Sequence, residues 1–69
     1  MVKGNTRADR ISTAFREGNV SVSDFCDATG ISPQAVSKAK RTGSMSIDNL
    51  IVLARMSDYD IEWIATGTS

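Results

Sequence analysis

SVSDFCDATGISPQAVSKAKR, residues Ser21 to Arg41, is the stretch whose reading decides the fold. Ser21 and Asp24 have the spacing of a capping box, in which side-chain oxygens satisfy backbone donors at a helix start, so a helix is expected from Val22. Gly30 supplies a residue that takes positive φ and closes this helix. Ser32 and Pro33 follow as the N-cap and first-turn proline of a second helix. The stretch therefore reads as two short helices joined by the turn Gly30-Ile31-Ser32.

The second helix, expected over residues 33–41, has two unlike faces. At about 100° per residue, Ala35, Val36 and Ala39 gather on one side, while Gln34, Ser37, Lys38 and Arg41 gather on the other. The first side suits a core. The second carries groups that read base edges: the Gln amide pairs bidentately with adenine, Arg does so with guanine, and Ser and Lys reach bases or phosphates. A solvated surface helix also carries Gln, Ser, Lys and Arg. The small residues Ala35, Ser37 and Ala39 favour the reading face, because they keep the helix slim enough for a major groove roughly 12 Å wide.

In the first helix of the unit, Val22, Phe25, Cys26 and Thr29 lie together, and Ser23, Asp24 and Asp27 point away. The two carboxylates would repel phosphate. Contact with nucleic acid is then confined to the N-terminal amides and the Ser21 and Ser23 hydroxyls, so this helix mainly supports its successor.

Upstream, residues 1–5 read as a short flexible arm. Thr6 is the expected cap of a helix running to about Glu17, with Ala8, Ile11, Ala14 and Phe15 on its core face and Asp9, Arg10, Thr13, Arg16 and Glu17 around the rest. Gly18-Asn19 ends it. Downstream, Thr42-Gly43 closes the residue 33–41 helix, and Ser46 caps a fourth from Ile47 to about Ser57. Ile47, Leu50, Ile51, Leu53 and Ala54 cover a wide arc there, which marks the core's main helix. Val52 and Met56, on a further side, are a candidate dimer surface, and packing by the C-terminal segment accounts for them equally well. Asp60 and Gly67 bound a last short helix, which must dock to be stable. Trp63, with Ile64, is expected to plug the core. With no strand pattern and no repeat, the expectation is an all-α single domain over residues 1–69, a small bundle of about five helices around a central helix-turn-helix.

A chain of 69 residues with 41% hydrophobic content buries only about 60% of its unfolded surface, so homodimerisation is one expected source of extra stability. No apolar run approaches the roughly 20 residues of a membrane span, and no signal-peptide pattern is present, so no membrane association and a cytoplasmic location are expected. The single Cys26 excludes an intramolecular disulfide and sits where a small buried hydrophobe fits. Net charge is zero, but it is unevenly spread. Up to Arg41 there are seven basic residues against Asp9, Glu17, Asp24 and Asp27; from Thr42 onward there is Arg55 against Asp48, Asp58, Asp60 and Glu62. The positive end lies with the candidate reading helix, as nucleic-acid binding would require.

From Ser21 to Gly43, followed by an apolar helix and Trp63-Ile64-Ala65-Thr66-Gly67, the chain resembles the lambda-repressor-like helix-turn-helix domain of phage CI and Cro repressors. Ile31 to Lys38 is similar to the family's recognition-helix opening, and the terminal segment is similar to the Trp-Leu-Leu-Thr-Gly that often ends the domain. The family usually has alanine at the position of Cys26 and often a larger apolar residue at that of Ala39, which implies looser packing under the recognition helix. Both a stand-alone Cro-like protein and the N-terminal domain of a longer repressor fit the resemblance.

The resemblance and the two-faced helix together imply sequence-specific binding of an operator in double-stranded DNA by a transcriptional repressor. Gln34, Ser37, Lys38 and Arg41 would approach base edges, while Ser32, Pro33, Lys40, Ser21 and Ser23 would lie against the backbone. A homodimer, at least on DNA, would read half-sites about 34 Å apart. The rival reading is a helix-turn-helix module used for protein interaction, with an antirepressor or toxin as partner; zero net charge and the acidic C-terminal half motivate it. Catalysis is the least expected class. With no histidine, no cysteine cluster and no glycine-rich phosphate loop, neither an activated nucleophile nor a zinc site can be assembled from known patterns, so no catalytic residue, metal or cofactor is assigned.

Overall fold

Each helix begins at the side-chain oxygen that the sequence offers for it. In the computed structural model, which describes residues 6–67, Thr6 accepts from the Asp9 amide at 3.2 Å and opens α1 (Arg7–Glu17). Ser21 accepts from Asp24 at 3.4 Å and opens α2 (Val22–Thr29). Ser32 accepts from Ala35 at 3.2 Å ahead of α3 (Pro33–Thr42), and Ser46 from Asn49 at 3.3 Å ahead of α4 (Ile47–Ser57). Asp60 takes the Glu62 amide at 3.2 Å ahead of α5 (Ile61–Thr66). The described residues contain no strand. The fold is thus all-α with five helices, as expected; the arm at residues 1–5 lies outside the described residues.

The helix ends share a device that the starts do not reveal. The α2, α3 and α5 helices each end in Thr-Gly, with the glycine in the left-handed region. The Thr29, Thr42 and Thr66 hydroxyls donate back to the carbonyls of Phe25, Lys38 and Glu62 at 2.8, 2.8 and 2.7 Å. At the first two sites the same hydroxyl also accepts the amide just past the glycine, from Ile31 at 3.4 Å and Ser44 at 3.3 Å. One threonine thereby ties a carbonyl one helical turn back to the first amide of the turn, which fixes both turns flanking α3. In α4, Ser57-Asp58 stands in for Thr-Gly: the Ser57 hydroxyl accepts from the Tyr59 amide at 3.3 Å, and Asp58 has φ 64°.

One core joins all five helices. It is built from Ile11, Ala14 and Phe15 of α1, Val20, Phe25 of α2, Val36 and Ala39 of α3, Leu50, Leu53 and Ala54 of α4, and Ile64 of α5. Phe15 and Phe25 meet edge to face, with centroids 5.1 Å apart and an interplanar angle of 80°. The α1 helix packs against α3, α4 and α5, and α2 packs against α3 and α4, so α3 is held from behind by α1 and α2.

Three expectations need correction. Trp63 does not plug the core: Ile64 fills that place at 0% exposure, while Trp63 is half-buried and stacks on Tyr59 at 5.1 Å. A six-residue helix presents one inward position to the core, and the branched aliphatic occupies it. Arg10, assigned to the polar face of α1, is buried at 6% exposure. Its Nε donates to the Ile64 carbonyl at 3.1 Å, and Arg7 Nε donates to the Ala65 carbonyl at 3.1 Å. The α5 helix has no basic residue in its own last turn, so the two arginines of α1 supply positive charge to its carbonyl end. Finally, Ile47 and Ile51, placed with the core arc of α4, are 56% and 37% exposed, while Val52 and Met56 are half-buried and pack against the core. Leu50, Leu53, Ala54 and Ser57 claim the buried arc, and the 100° spacing places Ile47 and Ile51 at and beyond its edge.

Candidate nucleic-acid interface

The α3 helix stands out by charge before any partner is considered. Each of the other helices contains at least one carboxylate: Asp9 and Glu17 in α1, Asp24 and Asp27 in α2, Asp48 in α4, Glu62 in α5. The α3 helix contains none, and it carries Lys38, Lys40 and Arg41. Its N-terminal dipole is therefore not offset by a local anion, and its last turn holds two cations where the dipole favours them.

Gln34, Ser37, Lys38 and Arg41 are all exposed, and their spacing along α3 lines them up in one stripe. The seven rises of about 1.5 Å from Gln34 to Arg41 give a stripe roughly 10 Å long, about three base steps. Val36 and Ala39, both 1% exposed, anchor the opposite face. The stripe is held stiffly from both ends by the paired Thr-Gly turns and by the Ser32 cap with Pro33 in the first turn.

Lys40 stands apart from the stripe. It is half-buried, and its Nζ lies 4.7 Å from the centroid of the Phe15 ring, while its carbonyl accepts the Ser12 hydroxyl at 3.2 Å. A phosphate contact from Lys40 would have to draw the ammonium off that aromatic face. The helix-start groups Ser21, Ser23, Ser32 and Pro33 are exposed, with the Ser21 and Ser32 hydroxyls engaged as caps. Asp24, in the first turn of α2, and Asp27, further along it, are exposed as well.

Behind the stripe, a groove of about 450 Å³ runs between α3 and the α3–α4 turn, lined by Arg7, Ile31, Ala35, Ala39, Ser44, Met45, Ser46 and Asn49. Ala39 borders this groove although it is itself only 1% exposed. Among the described residues, no helix is long and apolar enough to cross a membrane, and no three His, Cys, Asp or Glu side chains are grouped to hold a metal ion. Comparison with family models, curated proteins and solved structures finds no match for this chain.

Proposed function

We propose that this chain is a sequence-specific duplex DNA-binding protein, a transcriptional repressor of the CI/Cro helix-turn-helix type acting in the cytoplasm of a bacterial host. The observation that carries this reading is the α3 stripe: four exposed polar or cationic side chains on the only helix of the five without a carboxylate. In the proposed complex α3 lies in the major groove. Gln34, Ser37, Lys38 and Arg41 face base edges, and the Ser32 and Ser21 helix starts face the sugar-phosphate chains. Two copies would read a palindromic operator with half-sites about 34 Å apart.

Selection of bound duplexes from a random pool tests the reading, followed by gel-shift titration of the winning sequence. Enrichment of a palindrome, with Arg41→Ala weakening binding by roughly 1–3 kcal/mol at one base pair and little elsewhere, is the expected outcome. No enrichment at low salt, or an Arg41→Ala protein with unchanged affinity, removes α3 as the reading element. The observation that would then count is the acidic C-terminal half, where Asp48, Asp58, Asp60 and Glu62 are all exposed, as the surface of a protein-binding module.

A further inference from the structure

The outward face of α4 is explained neither by the core nor by the α3 stripe. Its two isoleucines, Ile47 and Ile51, are the large hydrophobic side chains left exposed among the described residues, and they sit one helical turn apart. Asp48 and Arg55 share this face: with Ile47 as origin, Ile51, Arg55 and Asp48 fall within about 100° of arc. Among the described residues neither Asp48 nor Arg55 forms an ion pair. The face thus consists of a small apolar strip with a carboxylate near the start of the helix and a guanidinium near its end.

That arrangement is self-complementary. Asp48 and Arg55 are seven residues apart, and the midpoint between them falls beside Ile51. If a second α4 is laid antiparallel across the first, with a two-fold axis through Ile51, isoleucine meets isoleucine at the centre. The Asp48 of each copy then meets the Arg55 of the other. An isologous contact requires a patch complementary to itself, and an apolar centre with opposite charges placed across the axis meets that condition here. We propose that this α4 face is the docking surface for a second copy of this chain, packed helix to helix about Ile51 and closed by two reciprocal Asp48–Arg55 ion pairs. The proposal deepens the two-copy reading of the previous section by assigning its surface, but it stands on the shape and charge of α4 and is testable without DNA. A helix face about 16 Å long is short of a standard interface. The dimer is therefore weak in free solution, and DNA holding two copies adjacent would supply the missing effective concentration.

The test is sedimentation equilibrium of the 69-residue chain without DNA, from about 10 μM to about 1 mM, with circular dichroism confirming that each variant is folded. The wild-type chain should show a concentration-dependent rise in weight-average mass toward the dimer. Ile51→Glu should raise the dissociation constant at least about tenfold. Asp48→Arg and Arg55→Asp should each weaken association, and the double variant Asp48→Arg/Arg55→Asp should recover it, because the swap restores opposite charges across the axis. The double variant guards against a folding artefact, since it carries both helix-end charge reversals yet is expected to associate better than either single change. A wild-type chain that stays monomeric throughout, an Ile51→Glu dimer as tight as the wild type, or a double variant no better than the singles overturns the proposal. Operator binding by monomers to an isolated half-site would survive all three results, so the failure of this surface is distinguishable from the failure of the DNA-binding reading.

Discussion

Replacing Gly18 by alanine sets two physical effects of opposite sign against each other. The backbone at Gly18, φ −84° and ψ 0°, is open to any residue. If the backbone were the whole matter, alanine would stabilise the protein by about 0.4–1 kcal/mol, because it restricts the unfolded chain more than glycine does. The surroundings say otherwise. A Cβ at position 18 would lie 2.5 Å from the Ala14 carbonyl oxygen, 2.5 Å from Ser57 Cβ and 2.8 Å from Ser57 Cα. Ordinary contact between such atoms is about 3.5–4.0 Å, so the end of α1 must withdraw from the end of α4 by roughly 1 Å, and no flexible side-chain tip is there to yield. Overpacking of this kind costs about 1–3 kcal/mol. A chain of this length is stabilised by only about 3–10 kcal/mol in total. At about 4–8 °C per kcal/mol for so small a domain, the melting temperature should fall by roughly 10 °C. Urea titration followed by circular dichroism at the helix band is the direct measurement, with the midpoint falling and the slope unchanged, since the change acts on the folded state. An unchanged or raised midpoint would refute the close approach of the ends of α1 and α4.

Three further outcomes follow from the same contacts. Gly30 has φ +80° with nothing within 4 Å of an added Cβ, so Gly30→Ala should cost about 1–2 kcal/mol of backbone strain, while D-alanine at that site in a synthetic chain should cost nothing; equal melting temperatures for the two would sink the left-handed assignment. Arg10→Met keeps the length and apolar stem but removes the donor to the Ile64 carbonyl, and should lower stability by roughly 1.5–3 kcal/mol, with earlier amide exchange in α5 than elsewhere as the distinguishing sign. Lys40→Ala and Lys38→Ala should differ: loss of Lys40 from the Phe15 ring costs about 0.5–1 kcal/mol of folding stability, whereas loss of exposed Lys38 leaves stability alone and lowers the slope of log affinity against log salt by about 1.

The start of every helix was legible because a helix start is a local event. Thr6, Ser21, Ser32, Ser46 and Asp60 accept amides two or three residues ahead, so the interaction that defines the element lies within a few letters of the sequence. The stops at Gly30, Gly43 and Gly67 were legible for the same reason, and the Thr-Gly pairs that reinforce them were equally local. The repetition of Thr29-Gly30, Thr42-Gly43 and Thr66-Gly67 was the signal that could have revealed the hydroxyl back-bonds from the letters alone. Arg7 and Arg10 were a different matter. Their partners, the Ile64 and Ala65 carbonyls, lie more than fifty positions away, and a buried arginine three residues from another looks on a helical wheel like an ordinary solvated pair. Only the absence of a cation in the last turn of α5 hinted that one had to arrive from elsewhere.

The misassignment on α4 follows from the same distinction and bears on function. A helical wheel ranks positions by chemistry, and by chemistry Ile47 and Ile51 belong with Leu50, Leu53 and Ala54. Burial depends instead on which arc the neighbouring helices reach, and the contacts of α4 with α1, α2 and α5 bury Leu50, Leu53, Ala54 and Ser57. That choice leaves isoleucine outside and places a serine inside, an inversion no periodicity argument predicts. The stripe on α3 escaped this problem because its two faces differ in kind: Val36 and Ala39 against Gln34, Ser37, Lys38 and Arg41. On α3, polarity separates the faces and the sequence and the packing agree. Where a helix is apolar nearly all round, as α4 is, the packing decides which residues are left over, and the leftover isoleucines, flanked by Asp48 and Arg55, are where a second molecule has something to bury.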